Sequence, residues 1–287
     1  MITENKLHGE QQYLRIVSTI LDEGAIVPNR TGVPAITIPH MMIHHDMSHG
    51  FPLLTTKKMA WKTMKVELEG FIKGVTDKKW FQDKGCKIWD EWCNPQKIPP
   101  GLSEIEKKEF QLKEPDLGNI YGYQWRNFNS QGYDQIQTII ETLKNNPNDR
   151  RMVCSAWNPL ALKNQALPPC HVLFHLTHIN GTLNLCWFQR SVDVVLGLPF
   201  NLASYSLLLH LFCKQSGFKE GVVTGFLSNC HIYDNHIDGA RVQIKRDTYP
   251  LPTIQTEKFT SIFEWGANDT ILQNYQSHPK LEFAIAI

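Results

Sequence analysis

Between Leu167 and Phe212 the chain carries the pattern that most restricts its fold. Pro168 and Pro169 fix the backbone on the approach to Cys170 and His171, because each ring locks φ. Alternating apolar runs follow, from Val172 to Thr177 and from Leu183 to Phe188, joined across Asn180-Gly181, a strong hairpin turn signal. After the turn Gly197-Leu198-Pro199, the stretch Leu198 to Phe212 is largely apolar and long enough for a buried helix. A rigid loop, a hairpin and a core helix in succession give a mixed α/β order.

The rest of the chain agrees with that order. Tyr13, Leu14, Ile16, Val17, Ile20 and Leu21 recur at helical spacing, as do Ile136, Ile139, Ile140 and Leu143, and Met152 to Trp157 reads as a strand. The expected class is α/β (α+β). No Ser/Gly/Pro-rich linker divides the 287 residues, so one domain, 1–287, is expected. Charged residues crowd Glu104 to Glu114, and the stretch near 95–115 reads as a solvated surface insertion.

Charge and cysteine usage exclude several classes. Lys and Arg number 29 against 28 Asp and Glu, a formal net charge of +1, which gives no field for DNA or a membrane surface. Seven cysteines, an odd number without a CxxC pair, point to a reducing compartment, and the lack of a signal peptide or long apolar segment points to the cytoplasm. Neither GxxxxGK[ST] nor GxGxxG occurs. His44 and His45 are adjacent, His231 and His236 are five apart, and no cysteine cluster completes a ligand set, so no metal is expected.

Chemistry concentrates at Cys170, Arg190 and Asn201. A thiol attacks best as thiolate, and a nearby cation lowers its pKa from about 8.5. Arg190 supplies such a charge, and its planar fork of donors also suits a phosphate. Cysteine is among the most buried residue types, so Cys86, Cys93, Cys154, Cys186, Cys213 and Cys230, which lack a neighbouring basic motif, are read as core. Trp89 and Trp92 suit a core and a binding face equally well. Thiol, guanidinium and amide together suggest covalent catalysis on a phosphorylated, hydrogen-bonding ring.

The run Leu167 to Asn201 resembles the signature of the thymidylate synthase family. Further blocks follow the family's order: Arg30-Thr31-Gly32, Thr55-Thr56-Lys57-Lys58, Ile88-Trp89-Asp90-Glu91-Trp92, Asp116-Leu117-Gly118 with Ile120-Tyr121-Gly122, Asp149-Arg150-Arg151, and His231-Ile232-Tyr233-Asp234-Asn235-His236. The resemblance implies a mixed β-sheet covered by helices, a homodimer formed through the sheets, and reductive methylation of dUMP to dTMP with 5,10-methylenetetrahydrofolate converted to dihydrofolate. It implies Cys170 as the thiolate that adds at pyrimidine C6, Glu67 and Tyr121 in proton transfer, and Asn201 at O4 and N3. Arg190 joins the catalytic set and, with Arg30, Ser191 and a cross-subunit pair Arg150 and Arg151, the phosphate contacts. His231 and Tyr233 are implied at the ribose and Asp193 on the substrate side. Lys57, Trp89, Trp92, Asp193, Leu196, Gly197, Phe200 and Ile287 are implied at the folate, with the apolar tail Phe283 to Ile287 as a lid. A side-chain amide both donates and accepts, which matches uracil better than cytosine.

Two departures from the family pattern stand out. Gly70 occupies a position that is usually aromatic, after Glu69 where an apolar residue is usual, and a small residue there reads as space large enough to admit an extra water. Ser228-Asn229 replaces the usual Gly-Asp before the ribose histidine. Both leave room for a dUMP, or less readily dCMP, hydroxymethylase, in which water takes the place of hydride. A non-catalytic RNA-binding or regulatory relative is a second alternative, opposed by the full set of Cys170, Tyr121, Asn201 and Glu67.

Overall fold

A computed structural model describes residues 8–29 and 31–284. In chain order the elements are α1 (Gly9–Glu23), β1 (Ala25–Val27), β2 (Ala35–Asp46), α2 (Trp61–Ile72), α3 (Lys78–Asp83), α4 (Glu104–Lys113), α5 (Tyr121–Arg126), α6 (Gln135–Asn145), β3 (Val153–Ser155), β4 (His171–Ile179), β5 (Thr182–Gln189), β6 (Val192–Asp193), α7 (Gly197–Ser216), β7 (Lys219–Tyr233), α8 (Ile237–Gln243), β8 (Thr253–Thr256) and β9 (Thr270–Gln273). The class is mixed α/β, as the sequence predicts. The residues group into two compact units, one drawn from 1–59, 176–257 and 270–287, the other from 60–175 and 258–269.

The first unit is built on a mixed sheet. β2 runs antiparallel to β7 from Ala35↔Tyr233 to Asp46↔Val222, whereas β5 and β6 run parallel to β7. The expected hairpin turns at Asn180 and Gly181, with φ of 50° and 80°. Such positive angles are why an Asn-Gly pair serves there. The α1 face of Tyr13, Ile16, Val17 and Ile20 is buried, and α7 buries residues on all sides, as an apolar helix must. Gly217 ends α7 in the left-handed conformation at φ 77°.

In the second unit α2 packs on α5, and Phe71 of α2 is the hub of an aromatic cluster. Its ring stacks on Tyr121 at 4.9 Å and meets Trp89 and Trp125 edge-on. β3 pairs with the start of β4 through Cys154↔Phe174. It is shorter than the expected Met152–Trp157: beyond Ser155 the amides of Ala156 and Trp157 both turn to the Val172 carbonyl, at 2.8 and 3.3 Å, and the Gln135 side chain bonds Ser155 N–H and C=O, at 2.9 and 2.8 Å. The region 95–115 contains α4, opened by a Ser103/Glu106 capping box and burying none of its residues. The stretch is therefore solvated and helical.

The reading of Gly70 as open space is corrected. A Cβ at Gly70 would lie 2.2 Å from Phe81 Cε1 and 2.4 Å from its Cζ, so the Phe81 ring already fills the slot. Phe81 is fully buried. The neighbouring Glu69 is buried too, and its carboxylate is held below the usual range because Lys73 and the Ala267 amide bond it, with Lys84 beside them. Overpacking costs about 1–3 kcal/mol, so Gly70→Trp should lie at or beyond the upper end of that range in urea unfolding. Phe81→Ala in the same chain should recover part of the loss. A Gly70→Trp protein as stable as its parent would show that Phe81 does not occupy the space.

Candidate active site

Cys170 follows the two prolines and directly precedes β4, as its motif predicts. Its amide N–H donates to Tyr121 Oη at 2.7 Å. Tyr121 is itself buried among rings, stacked on His171 at 4.1 Å and 20° and on Phe71 at 4.9 Å, and those two rings are themselves 6.2 Å apart. Burial pushes the His171 imidazole down to about 3, so the ring in this stack is neutral at physiological pH. The thiol loop is thereby fastened at its backbone while Cys170 stays partly exposed. Of the other cysteines, Cys86 and Cys230 are pushed up to about 12, and Cys93, Cys154 and Cys213 are also raised, each chiefly by burial. These five are held as thiols.

Glu67 lies on α2 beside the same cluster. It keeps some access to solvent, yet the protein packed around it pushes its carboxyl up to about 7. The Trp89 indole N–H opposes that rise, although it falls short of full hydrogen-bond geometry to any acceptor. A carboxyl poised near neutrality suits proton transfer. Trp89 is buried and Trp92 half-buried. Arg150 and Arg151 lie on the surface in a recess lined with Asn148 and Asp149. Arg151 grips Asp149 through two nitrogens, at 2.9 and 2.6 Å.

The first unit holds the remaining groups in a set of its own. Arg190 and Ser191 are half-buried at the end of β5. Asn201, in the opening turns of α7, accepts from Gln189 Nε2 at 3.0 Å through Oδ1. Gln189 in turn accepts from the Trp187 indole N–H at 3.1 Å. An indole nitrogen only donates, so Trp187 fixes which way Gln189 faces. Gln189 then fixes Asn201, leaving its Nδ2 as the group that donates outward. Sequence reading assigned Trp187 and Gln189 no role; Gln189 beside Arg190 in the motif was the available signal.

Asp193 Oδ1 accepts the amides of Val195 and Leu196, at 3.0 and 2.9 Å, fixing the turn into α7, where Leu196, Gly197 and Phe200 are half-buried. Lys57 is buried, donates to the Val195 carbonyl and lies 5.0 Å from the centre of the Phe283 ring. Burial lowers its ammonium to about 8, against the opposing pull of Asp193. Its loop is held by Glu10, whose carboxylate receives the amides and hydroxyls of Thr55 and Thr56. His231 is oriented by Asn229, whose carbonyl and side-chain oxygen lie 3.0 and 3.1 Å from Nδ1. With Nδ1 protonated against a carbonyl, Nε2 is the acceptor of the neutral ring. Ser228-Asn229 therefore keeps a hydrogen bond behind His231, and Tyr233 packs edge-on to it at 5.2 Å. Arg30 and Ile287 lie outside the described residues. Among the described residues no group of three or more His, Cys, Asp or Glu side chains is gathered to hold a metal, and no helix is long and apolar enough to cross a membrane.

Residues 11–287 match the model of the family described as thymidylate synthase. The chain belongs to the thymidylate synthase family. It is 38% identical to a thymidylate synthase of Mycoplasma pneumoniae and 39% identical to that of Mycoplasma genitalium, each over 96% of this chain and 100% of the relative. It is also 38% identical to a bifunctional dihydrofolate reductase-thymidylate synthase of Paramecium tetraurelia, over 98% of this chain and 62% of that longer protein.

Raising the Glu67 pKa from 4.5 to about 7 means that the folded chain keeps a proton the unfolded chain releases. The stability tied to that proton is fully present below about pH 4.5 and is lost as pH rises through 7. Glu67→Gln should therefore gain stability relative to the parent between pH 5 and pH 8 in urea unfolding. A difference that does not change with pH would contradict the raised carboxyl.

Proposed function

We propose that this chain converts dUMP to dTMP with 5,10-methylenetetrahydrofolate as co-substrate and dihydrofolate as the second product, and that Cys170 opens the reaction by adding to C6 of the pyrimidine. Membership of the thymidylate synthase family carries this reading. The fixed Cys170 backbone supports the assignment of the nucleophile. Residues 1–287 act as one catalytic domain on this reading.

Thiolate addition places charge on the ring oxygen O4, and a donor already in place stabilises it. Asn201 Nδ2, turned outward by Trp187 and Gln189, is that donor, and Oδ1 has a second lone pair for N3–H. Glu67, with its carboxyl near 7, moves protons at O4 through ordered water, and Tyr121 attends the proton lost from C5. Arg190, Ser191 and Arg30 hold the phosphate, with Arg150 and Arg151 contributing across a homodimer. His231 and Tyr233 hold the ribose, with Asp193 on the substrate side as well.

Folate, when bound, supplies the one-carbon unit and the hydride. The residues suit it: Trp89 and Trp92 offer aromatic faces, Asp193 has an oxygen beyond the one committed to backbone amides, and Lys57 is a buried cation. Leu196, Gly197, Phe200 and Ile287 complete that set, and the tail is docked as far as residue 284, where the Ala284 carbonyl bonds His236 and Phe283 lies on Gly239. Hydroxymethylation has no observation in its favour, because Phe81 fills the space at Gly70 that could have admitted a water. A reducing, cytoplasmic location belongs to this reading on the odd cysteine count without a CxxC pair.

The homodimer is supported by a row of exposed apolar side chains across the sheet of the first unit. Met42 is paired with Phe226 and Phe226 with Phe188, and the three are 57%, 47% and 39% exposed. Phe226→Glu should run as a monomer in sedimentation velocity; an unaltered dimer, or a parent that is itself monomeric, would remove that surface from the interface.

The activity is tested by the mass of the nucleotide product together with absorbance at the dihydrofolate band. The expected result is dTMP with stoichiometric dihydrofolate. A product heavier by one oxygen, with no dihydrofolate, would overturn the reading in favour of hydroxymethylation.

A further inference from the structure

Lys78 is a lysine with almost no solvent exposure, 2%, and it stands on α3 facing two segments far along the chain. Its ammonium donates to the carbonyls of Asp90, at 2.9 Å, and Trp92, at 3.1 Å, and also to the carbonyl of Gln111. An ammonium has three donors and no acceptor, so these three carbonyls use it completely. Gln111 lies in the last turn of α4, where carbonyls have no partner within the helix and a positive charge is favoured. Asp90 and Trp92 belong to the turn that carries Trp89 and Trp92. One buried cation thus caps the insertion helix and holds the tryptophan turn.

Other bonds draw the same segments together. The Lys78 amide donates to the Pro115 carbonyl just beyond α4, the Asn94 amide to Asp116, and the Leu117 amide to Thr76. Gln82, also on α3, bonds the Asp90 carboxylate at 2.9 Å. The exposed helix α4 buries none of its own residues, so its fastening runs through its C-terminal end and the strand of chain that follows.

We infer that Lys78 is a positioning residue that couples the α4 insertion to the Trp89–Trp92 turn, so that docking of the insertion sets affinity for the folate co-substrate. The inference rests on the proposed reaction, in which Trp89 and Trp92 contact folate. Removing the ammonium loosens the tie between the turn and α4. Its effect falls first on the folate KM, with the dUMP Kd much less changed; kcat changes only as far as Trp89 shifts the Phe71 and Tyr121 rings it meets.

The test is steady-state kinetics on Lys78→Met and on Glu109→Pro, the latter breaking α4 at an exposed position while leaving Lys78 in place. Both should raise the KM for 5,10-methylenetetrahydrofolate by about tenfold, equivalent to 1.4 kcal/mol, with the dUMP Kd changed less than twofold. Amide hydrogen exchange should accelerate together in 89–94 and 104–113 in each variant. An unchanged folate KM in the variants, or exchange that accelerates in α4 alone, would overturn the coupling. Should Lys78→Met fail to fold, Glu109→Pro decides alone by the same criteria. An unmodified chain that makes no dTMP would instead overturn the proposed reaction, which separates the two failures.

Discussion

A nucleophilic cysteine on a loop needs its backbone held, because a misplacement of 1 Å can cost on the order of a hundredfold in rate. On the proposed reaction that cysteine is Cys170, and the hydrogen bond from its amide to Tyr121 Oη holds the backbone. Tyr121 is held in turn by stacking on both His171 and Phe71, whose own rings lie 6.2 Å apart, and burial keeps the His171 ring neutral. Phe71 depends in turn on α2, and α2 approaches α3 closely because Gly70 admits Phe81. The same helix presents Glu67 with a carboxyl near neutrality. Packing and the position of the Cys170 backbone therefore depend on one aromatic cluster, and the raised Glu67 carboxyl lies beside it.

The other unit solves a different problem, the direction in which an amide faces. Side-chain amides can turn over, exchanging donor for acceptor, and only a neighbour of one polarity forbids it. Trp187 is such a neighbour, since it can only donate, and its influence passes through Gln189 to Asn201. Glu10 and Asp193 play the complementary part as acceptors, collecting the backbone amides of the Thr55–Thr56 loop and of the turn into α7. Buried polar groups left without partners cost about 1–3 kcal/mol each, so these networks also restrict the loops to one arrangement.

Much of this was legible in the chain. The Asn180-Gly181 hairpin, the apolar α7 and the loop before Cys170 follow from local rules of turn chemistry, periodicity and proline geometry. The long strands β2 and β7 do not, because their residues answer to neighbours distant in sequence. β7 contains Gly225, which local propensity counts against a strand, yet a Cβ there would meet Trp187 at 2.5 Å across the sheet. Gly70 misled for the same reason: a vacant side chain reads as space, and only the fold reveals that Phe81 enters it. The candidate site residues come from motifs, whereas the groups that orient their neighbourhoods, Trp187, Gln189, Glu10 and Lys78, emerge only from contacts. Arg30 and Ile287 lie outside the described residues, so their expected roles stand on resemblance alone.

The central claim is that Cys170 forms a covalent bond to the pyrimidine, and it is open to a direct test. A 5-fluoro analogue of dUMP cannot lose fluorine as the C5 proton is lost, so with 5,10-methylenetetrahydrofolate the reaction should stop at a stable adduct. Intact-protein mass spectrometry, followed by peptide mapping, should show one nucleotide and one folate added to the peptide containing Cys170, and none on Cys170→Ala. An unmodified Cys170, or an adduct on any other residue, would contradict the account.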